Sequence, residues 1–516
     1  MPSPLPSAAA PLYSLEILDR VAIAYLTLPL AIFLAGWLEL WAALPLLACL
    51  AFSLRALAAA TPARPARFPL TPLQLGLAVL AGCGWTALGG TGHFVFANAD
   101  WFVRDAVLHD LVVSPWPVGY GVLDGLETIL RAPIAYYLPA ALLGKWVGLP
   151  LAHLAMAGWT AAGATLFLLQ VLSLTTPRVG AAALTVAVIV LFSGMDIVGA
   201  LLNGGPHFRS DWRIGQHIEW WAHRYQYSSM TTQLFWVPNH ALGGWLTIGL
   251  LYRDDGATPL DLLLPMLVVA VALWSPLTAI GLAPFVAWRM LGRLTRARIL
   301  ALISPRVWLP AVLVGVVVAA YLTLDLGGVP KGWSAQPGDS ELVELVAKAQ
   351  FFLLEAGFIG AAVFAIGRSK QVALALLILA LLPFARLGPA NDLVMRASIP
   401  SLTVLAIGAC LALLEKTAGA ALWRKKAVLV GLLAVGAVTP VQEFARAAVL
   451  PAWPIDLQST LLATGCGAYP AHYIAKMSDQ PVRRLLREPH ALGFDAQAPR
   501  ACNNPANMLM WLKGLL

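Results

Sequence analysis

The chain has 516 residues, 59% hydrophobic and only 12% charged, with a mean hydropathy of +0.76. Soluble domains carry roughly 25% charged residues, so a soluble globular fold is excluded and a polytopic membrane protein is expected. The net charge of +8 does not point to nucleic acid, because the basic residues cluster between apolar stretches, as membrane orientation produces.

A spanning helix needs ~20 mostly apolar residues. In chain order, about 13 stretches qualify: 20–36, 38–59, 71–91, 151–173, 179–199, 238–252, 258–274, 276–291, 307–325, 348–367, 371–386, 396–414 and 426–442. The first is retained, since MPSPLPSAAAPLYSLEILDR lacks the basic start and cleavage pattern of a removable signal. Basic loops at Arg64 and Arg67, at Arg289 to Arg298, at Arg368 and Lys370, and at Arg424 to Lys426 set the orientation. Their parity agrees if APIAYYLPAALLGKWVGL (residues 132–149), rich in proline and aromatics, lies flat at the interface. The N-terminus is then cytoplasmic and the C-terminus outside. A transmembrane unit over residues 1–442 carries outer loops at 92–150, 200–237, 326–347 and 387–395, and a small outer tail covers 443–516. Cys466 and Cys502 in that tail could pair in an oxidising compartment or remain free thiols. No CxxC or Cys/His metal spacing occurs.

Three polar constellations fall on the outer side. The first is HFVFANADWFVRDAVLHDLVVSPWPVGY, residues 93–120. A carboxylate at the membrane boundary can act as general base or hold a divalent cation, Mg or Mn, and Asp100 and Asp105 are the candidates. Arg104, His109 and Trp116 lie close by, with Asp105 and His109 spaced to share a helical face. A solvated acidic helix start explains the same acids without chemistry. The second constellation, residues 203–240, interleaves His217, Glu219, Trp220, His223 and Arg224. Its histidines lack a zinc-site spacing; aromatics mixed with cations suit sugar stacking and phosphate binding, or an interfacial belt. The third, ARLGPANDLVMRAS, places Arg386 and Arg396 around Asn391 and Asp392. Arginine forks fit phosphate, although Asp392 and Arg396 are also spaced to pair with each other. Asp325, Lys331, Trp333 and Asp339 make a weaker fourth loop. Glu355, inside an apolar stretch and with Lys348 nearby in sequence, is a functional candidate by position.

The run NADWFVRDAVLHDL, then SPWPVGY, then the flat APIAYYLPAALLGKWVG resembles the GT-C superfamily of membrane glycosyltransferases. The resemblance covers roughly the first 250 residues and is one of layout. Asp100 is followed by Trp101 where some members have an Asp-Glu doublet, no WWDYG-type signature is present, and three spans rather than one precede the acidic loop. The resemblance implies a GT-C-like helical bundle in the bacterial inner membrane. It also implies a polyprenyl-phosphate sugar donor, a lipid, glycan or protein acceptor on the periplasmic face, and an acidic residue as base or metal ligand, here Asp100 with Asp105 as substitute. Two other readings stay open: a surface-polysaccharide polymerase or ligase using a polyprenyl-diphosphate donor, and a transporter or lipid flippase. Membrane lipids are partners in every case.

Overall fold

The computed structural model describes residues 15–58, 70–203, 214–253, 260–292, 299, 303–328, 330–333, 340–388, 391–416, 419–464, 473–477 and 481–491. Cys466, Cys502, Asp339 and the basic residues Arg64, Arg67, Arg293, Arg296 and Arg298 lie outside these. Up to residue 203 the described residues build eight helices: α1 (Leu15–Trp37), α2 (Leu40–Ala58), α3 (Pro72–Ala87), α4 (Asp100–Val113), α5 (Leu138–Val147), α6 (Leu149–Leu172), α7 (Val179–Leu191) and α8 (Asp196–Asn203). Local chemistry starts them. Thr71 accepts from the Gln74 amide at 3.2 Å while its own amide donates to Gln74 Oε1 at 3.0 Å, a reciprocal cap on α3. α3 lies close along α6 because Gly82 has no side chain; a Cβ there would stand 2.3 Å from Thr165 Oγ1. The helix Pro238–Arg253 is buried along most of its length and packs on α6, Leu260–Trp274, Pro276–Leu291 and Ile399–Leu414, forming the centre of the bundle.

Seven helical segments among the described residues are long and apolar enough to cross a membrane: Ile17–Trp37, Leu149–Leu172, Val179–Asn203, Pro305–Leu322, Glu341–Gly367, Asp392–Leu414 and Ala420–Val449. Leu309, Val312 and Val316 on one of them point outward, 51–62% exposed, as side chains facing lipid would. Other apolar stretches, such as Pro72–Ala87 and Pro276–Leu291, give shorter helices. Sixteen residues rise ~24 Å, short of the ~30 Å hydrocarbon core. Of the about 13 expected spans, seven are matched by helices of full spanning length among the described residues. Residues 132–141 of the segment expected to lie flat are mostly buried, whereas 142–148 are mostly exposed. α5 is 10 residues long, Trp146 is 85% exposed, and Lys145 sits 5.0 Å over the Trp116 ring.

The fold is mostly helical but not all-α. β1 (Val118–Leu123) and β2 (Leu126–Leu130) form a hairpin across Asp124 and Gly125, whose φ values of 52° and 77° suit a tight two-residue turn. β3 (Lys331–Trp333) and β4 (Ala385–Leu387) pair separately. The tail then returns to the hairpin, with β5 (Ile474–Lys476) against β2 and β6 (His490–Ala491) against β1, giving the order β5-β2-β1-β6. The tail is also knitted to α4: the Leu461 amide donates to Asp110 Oδ2 at 2.9 Å, and the Trp453 indole donates to the Ala97 carbonyl at 2.8 Å. The described part of the tail is thus a layer over α4 and the β1–β2 hairpin.

Candidate functional site

A cavity of about 830 Å³ is where the three constellations meet. Asp100 and Arg104 of α4 form one wall, His217, Trp220, His223 and Arg224 a second, and Arg386, Asn391, Asp392 and Arg396 a third. Trp236, Gln226 and Tyr473 complete it.

Asp100 opens α4, where its amide donates to Asn98 Oδ1 at 3.1 Å and Asn98 Nδ2 in turn donates to the Phe235 carbonyl at 2.8 Å. The carboxylate is 41% exposed, and Arg104, one turn on, donates to its Oδ2 at 3.0 Å from a side chain only 6% exposed. Arg104 also donates to Asn239 Oδ1 at 2.7 Å, to Tyr137 Oη at 3.4 Å and to the Trp236 carbonyl. Burial alone would weaken this cation, but Tyr137 and Asp100 beside it hold its pKa above the usual arginine value. Arg104 is therefore a fixed post that aims Asp100 into the cavity.

The second wall rests on a buried network. His217 stacks on Trp236, ring centres 4.9 Å apart, and meets Trp220 edge-on at 5.3 Å. Its Nδ1 lies 3.0 Å from Glu443 Oε1 and its Nε2 lies 3.4 Å from Glu219 Oε2. Burial would push the imidazole down, yet Glu443 and Glu219 outweigh it and hold the pKa at about 9. His217 is thus a cation at neutral pH. Trp220 remains 56% exposed, an indole presented to the cavity. The second and third walls are tied where two residues adopt left-handed backbone: His223 (φ 50°) precedes Arg224, whose carbonyl accepts from Asn391 (φ 58°) Nδ2 at 3.2 Å. Arg396 lies 3.9 Å from Asp392 Oδ1, the i,i+4 pair the sequence allowed, and both residues still line the cavity.

Four expected site residues lie elsewhere. Asp105 is five residues from Asp100, ~140° around the helix, so it turns into the core, 1% exposed, 2.8 Å from His93 Nε2 and 3.7 Å from His153 Nδ1. His109 does not share a site with it; its Nδ1 lies 2.9 Å from Asp110 Oδ1. Trp116 packs on Trp37 and donates to the Leu111 carbonyl at 2.8 Å. Glu219 is 1% exposed behind His217, accepting from the Ser229 amide at 2.9 Å and Gln226 Nε2 at 2.7 Å. Asp325 accepts from the Lys476 amide at 3.1 Å, away from the cavity. Glu355 meets a different partner from the one expected. The Trp221 indole donates to it at 2.7 Å, inside a π-turn at Leu353–Gly357, whereas Lys348 lies 3.4 Å from Glu344.

Sequence reasoning missed Tyr473 and Trp236. Trp236 follows the polar run directly and was legible as one more aromatic of that loop. Tyr473 had no signal: the β5–β2 pairing carries it there, and its carbonyl accepts from the Arg131 amide at 2.7 Å. Burial pushes its hydroxyl pKa up, so it is a neutral hydrogen-bonding group.

Among the described residues no group of three or more His, Cys, Asp or Glu is placed to hold a metal ion. In the cavity, Asp100 and Asp392 each face an arginine rather than another carboxylate. No known protein family, curated protein or solved structure matches the chain.

Proposed function

We propose that the chain is a membrane glycosyltransferase of GT-C-like layout, acting at the outer face of a bacterial inner membrane. It would move a sugar from a polyprenyl-phosphate-linked donor to a lipid, glycan or protein acceptor. One observation carries the reading: a single cavity gathers two partly open carboxylates, Asp100 and Asp392, three arginines beyond the one that anchors Asp100, and an exposed indole, all from segments far apart in the chain.

In the proposed reaction, Asp100 accepts the proton of the acceptor hydroxyl through the oxygen Arg104 does not engage. The acceptor oxygen bonds to the anomeric carbon as the bond from that carbon to the phosphate oxygen breaks. The electron pair leaves with the phosphate, where Arg224, Arg386 and Arg396 offset its charge. Trp220 stacks on the sugar, and Tyr473 and Gln226 supply neutral hydrogen bonds. The arginines take the neutralising role a divalent cation would fill, and no step runs through a metal.

The surplus of cations also favours a second reading, a polysaccharide polymerase or ligase with a polyprenyl-diphosphate donor, because a diphosphate brings more negative charge to the same arginines. A transporter would look to Asp196 and Glu355, but these are 1% and 2% exposed and lie behind Trp221.

The test is Asp100→Asn returned to a strain deleted for the gene, with protein level checked and surface glycans and lipids profiled. Deletion should change a glycan, and the variant should fail to restore it. Full restoration by the variant would overturn the assignment of Asp100.

A further inference from the structure

A second depression lies far from the cavity, at the other end of the α1–α2 hairpin. It has a volume of about 400 Å³. α1 lines it with Arg20, Ile23, Ala24 and Thr27, spaced along one helical face, and α2 adds Leu50 and Leu54. The walls are apolar and face the surroundings of the bundle. Thr27 spends its hydroxyl on the Ile23 carbonyl at 2.8 Å, so it offers no polar contact there.

Charge marks one end of this groove. Arg20 lines the groove near the start of α1; Arg55, in the last turn of the antiparallel α2, is not part of its lining but stands at the same end of the hairpin, next in sequence to Leu54. Among the described residues neither has a hydrogen-bond or ion-pair partner. The adjacent acid does not cancel them, because Asp19 is held by Arg253 at 2.8 Å. The opposite end is fixed. The Arg487 amide donates to the Trp37 carbonyl at 2.9 Å, and its side chain donates to the Leu38 and Ala35 carbonyls, each at 2.8 Å. The two helices are thus clamped at one end and leave an apolar cleft between them at the other.

We propose that this cleft binds one anionic glycerophospholipid, its phosphate at Arg20 and Arg55 and an acyl chain along Ile23, Ala24, Leu50 and Leu54. Basic pockets between membrane helices select anionic headgroups in this way, and an arginine pair suits a phosphate diester. The site is independent of the proposed glycosyl transfer.

The full chain in detergent, stripped of lipid, is titrated with phosphatidylglycerol, phosphatidylcholine or undecaprenyl phosphate and read by native mass spectrometry. Phosphatidylglycerol should bind on the order of tenfold tighter than phosphatidylcholine. The double variant Arg20→Gln, Arg55→Gln should abolish that preference. Ala24→Phe, which fills the cleft and keeps both arginines, should lower retention of the lipid, so a folding defect in one variant does not decide the matter. Equal binding of the two phospholipids, undiminished binding by either variant, or a stronger arginine-dependent retention of undecaprenyl phosphate would overturn the proposal.

Discussion

The two sides of α4 carry similar residues to opposite ends. One side presents Asp100 to a cavity, half-exposed and held by an arginine. The other buries Asp105 against two histidines and Asp110 against His109, Tyr120 and the tail. Both sides are acidic and both look functional in one dimension. What separates them is cover: the tail and the β1–β2 hairpin close over Asp110, while the Asp100 side chain stays 41% exposed at the cavity. An acid is available for chemistry only where the fold leaves water and substrate a path to it.

The largest effect that would break this contrast is on turnover. Asp100→Asn should lower the transfer rate on the order of 10³-fold, within the range for loss of a general base, with an unchanged melting temperature. Asp105→Asn should do the reverse, melting earlier while turning over normally. An inactive but stable Asp105→Asn would reverse the assignment.

The next effect is on stability against pH. His217 in the fold has a pKa of about 9, above its unfolded value of 6.5, so its contribution is fully present below about pH 6.5 and is lost as pH rises through 9. The full difference amounts to roughly 3 kcal/mol. Melting curves recorded from pH 6 to 10 should show that fall, and His217→Gln should flatten it; parallel curves would show that the two glutamates do not hold the proton.

Asp110→Ala should cost about 2 kcal/mol, because it strands the Tyr120 hydroxyl and the Leu461 amide, both paired to it at 2.9 Å. Chemical denaturation would measure it. Early protease cutting near Leu461 would show that the tail is what loosens.

The smallest effect sharpens the cavity side. Arg386 is exposed on β4, so Arg386→Gln should raise the KM for the lipid donor about tenfold and leave kcat nearly intact, as expected for one phosphate contact among several.

These contrasts also show what one dimension conceals. That three loops carry the polar residues was legible, because charge is costly in lipid and stands out against apolar runs. Asp100, Arg224 and Arg396 were identifiable for that reason, and they do meet. The choice between Asp100 and Asp105 was not, since it depends on which side of α4 the tail covers. The hairpin was missed although VGYGVLDGLETIL alternates around an Asp-Gly pair, a strong turn signal; the expectation of interfacial helices overrode it. Hydropathy registered shorter helices such as Pro72–Ala87 together with the seven of full spanning length, because apolarity marks both.

The seam between the tail and α4 has a consequence in time. Leu461 follows Asp110 by 351 residues. At ordinary rates of synthesis that interval is roughly 20–70 s. Through it the bundle can be threaded into the bilayer while Asp110 lacks its amide donor and the wall that Tyr473 supplies does not yet exist. The cavity therefore forms late, so any activity that needs Tyr473 must wait until the chain through Tyr473 has left the ribosome.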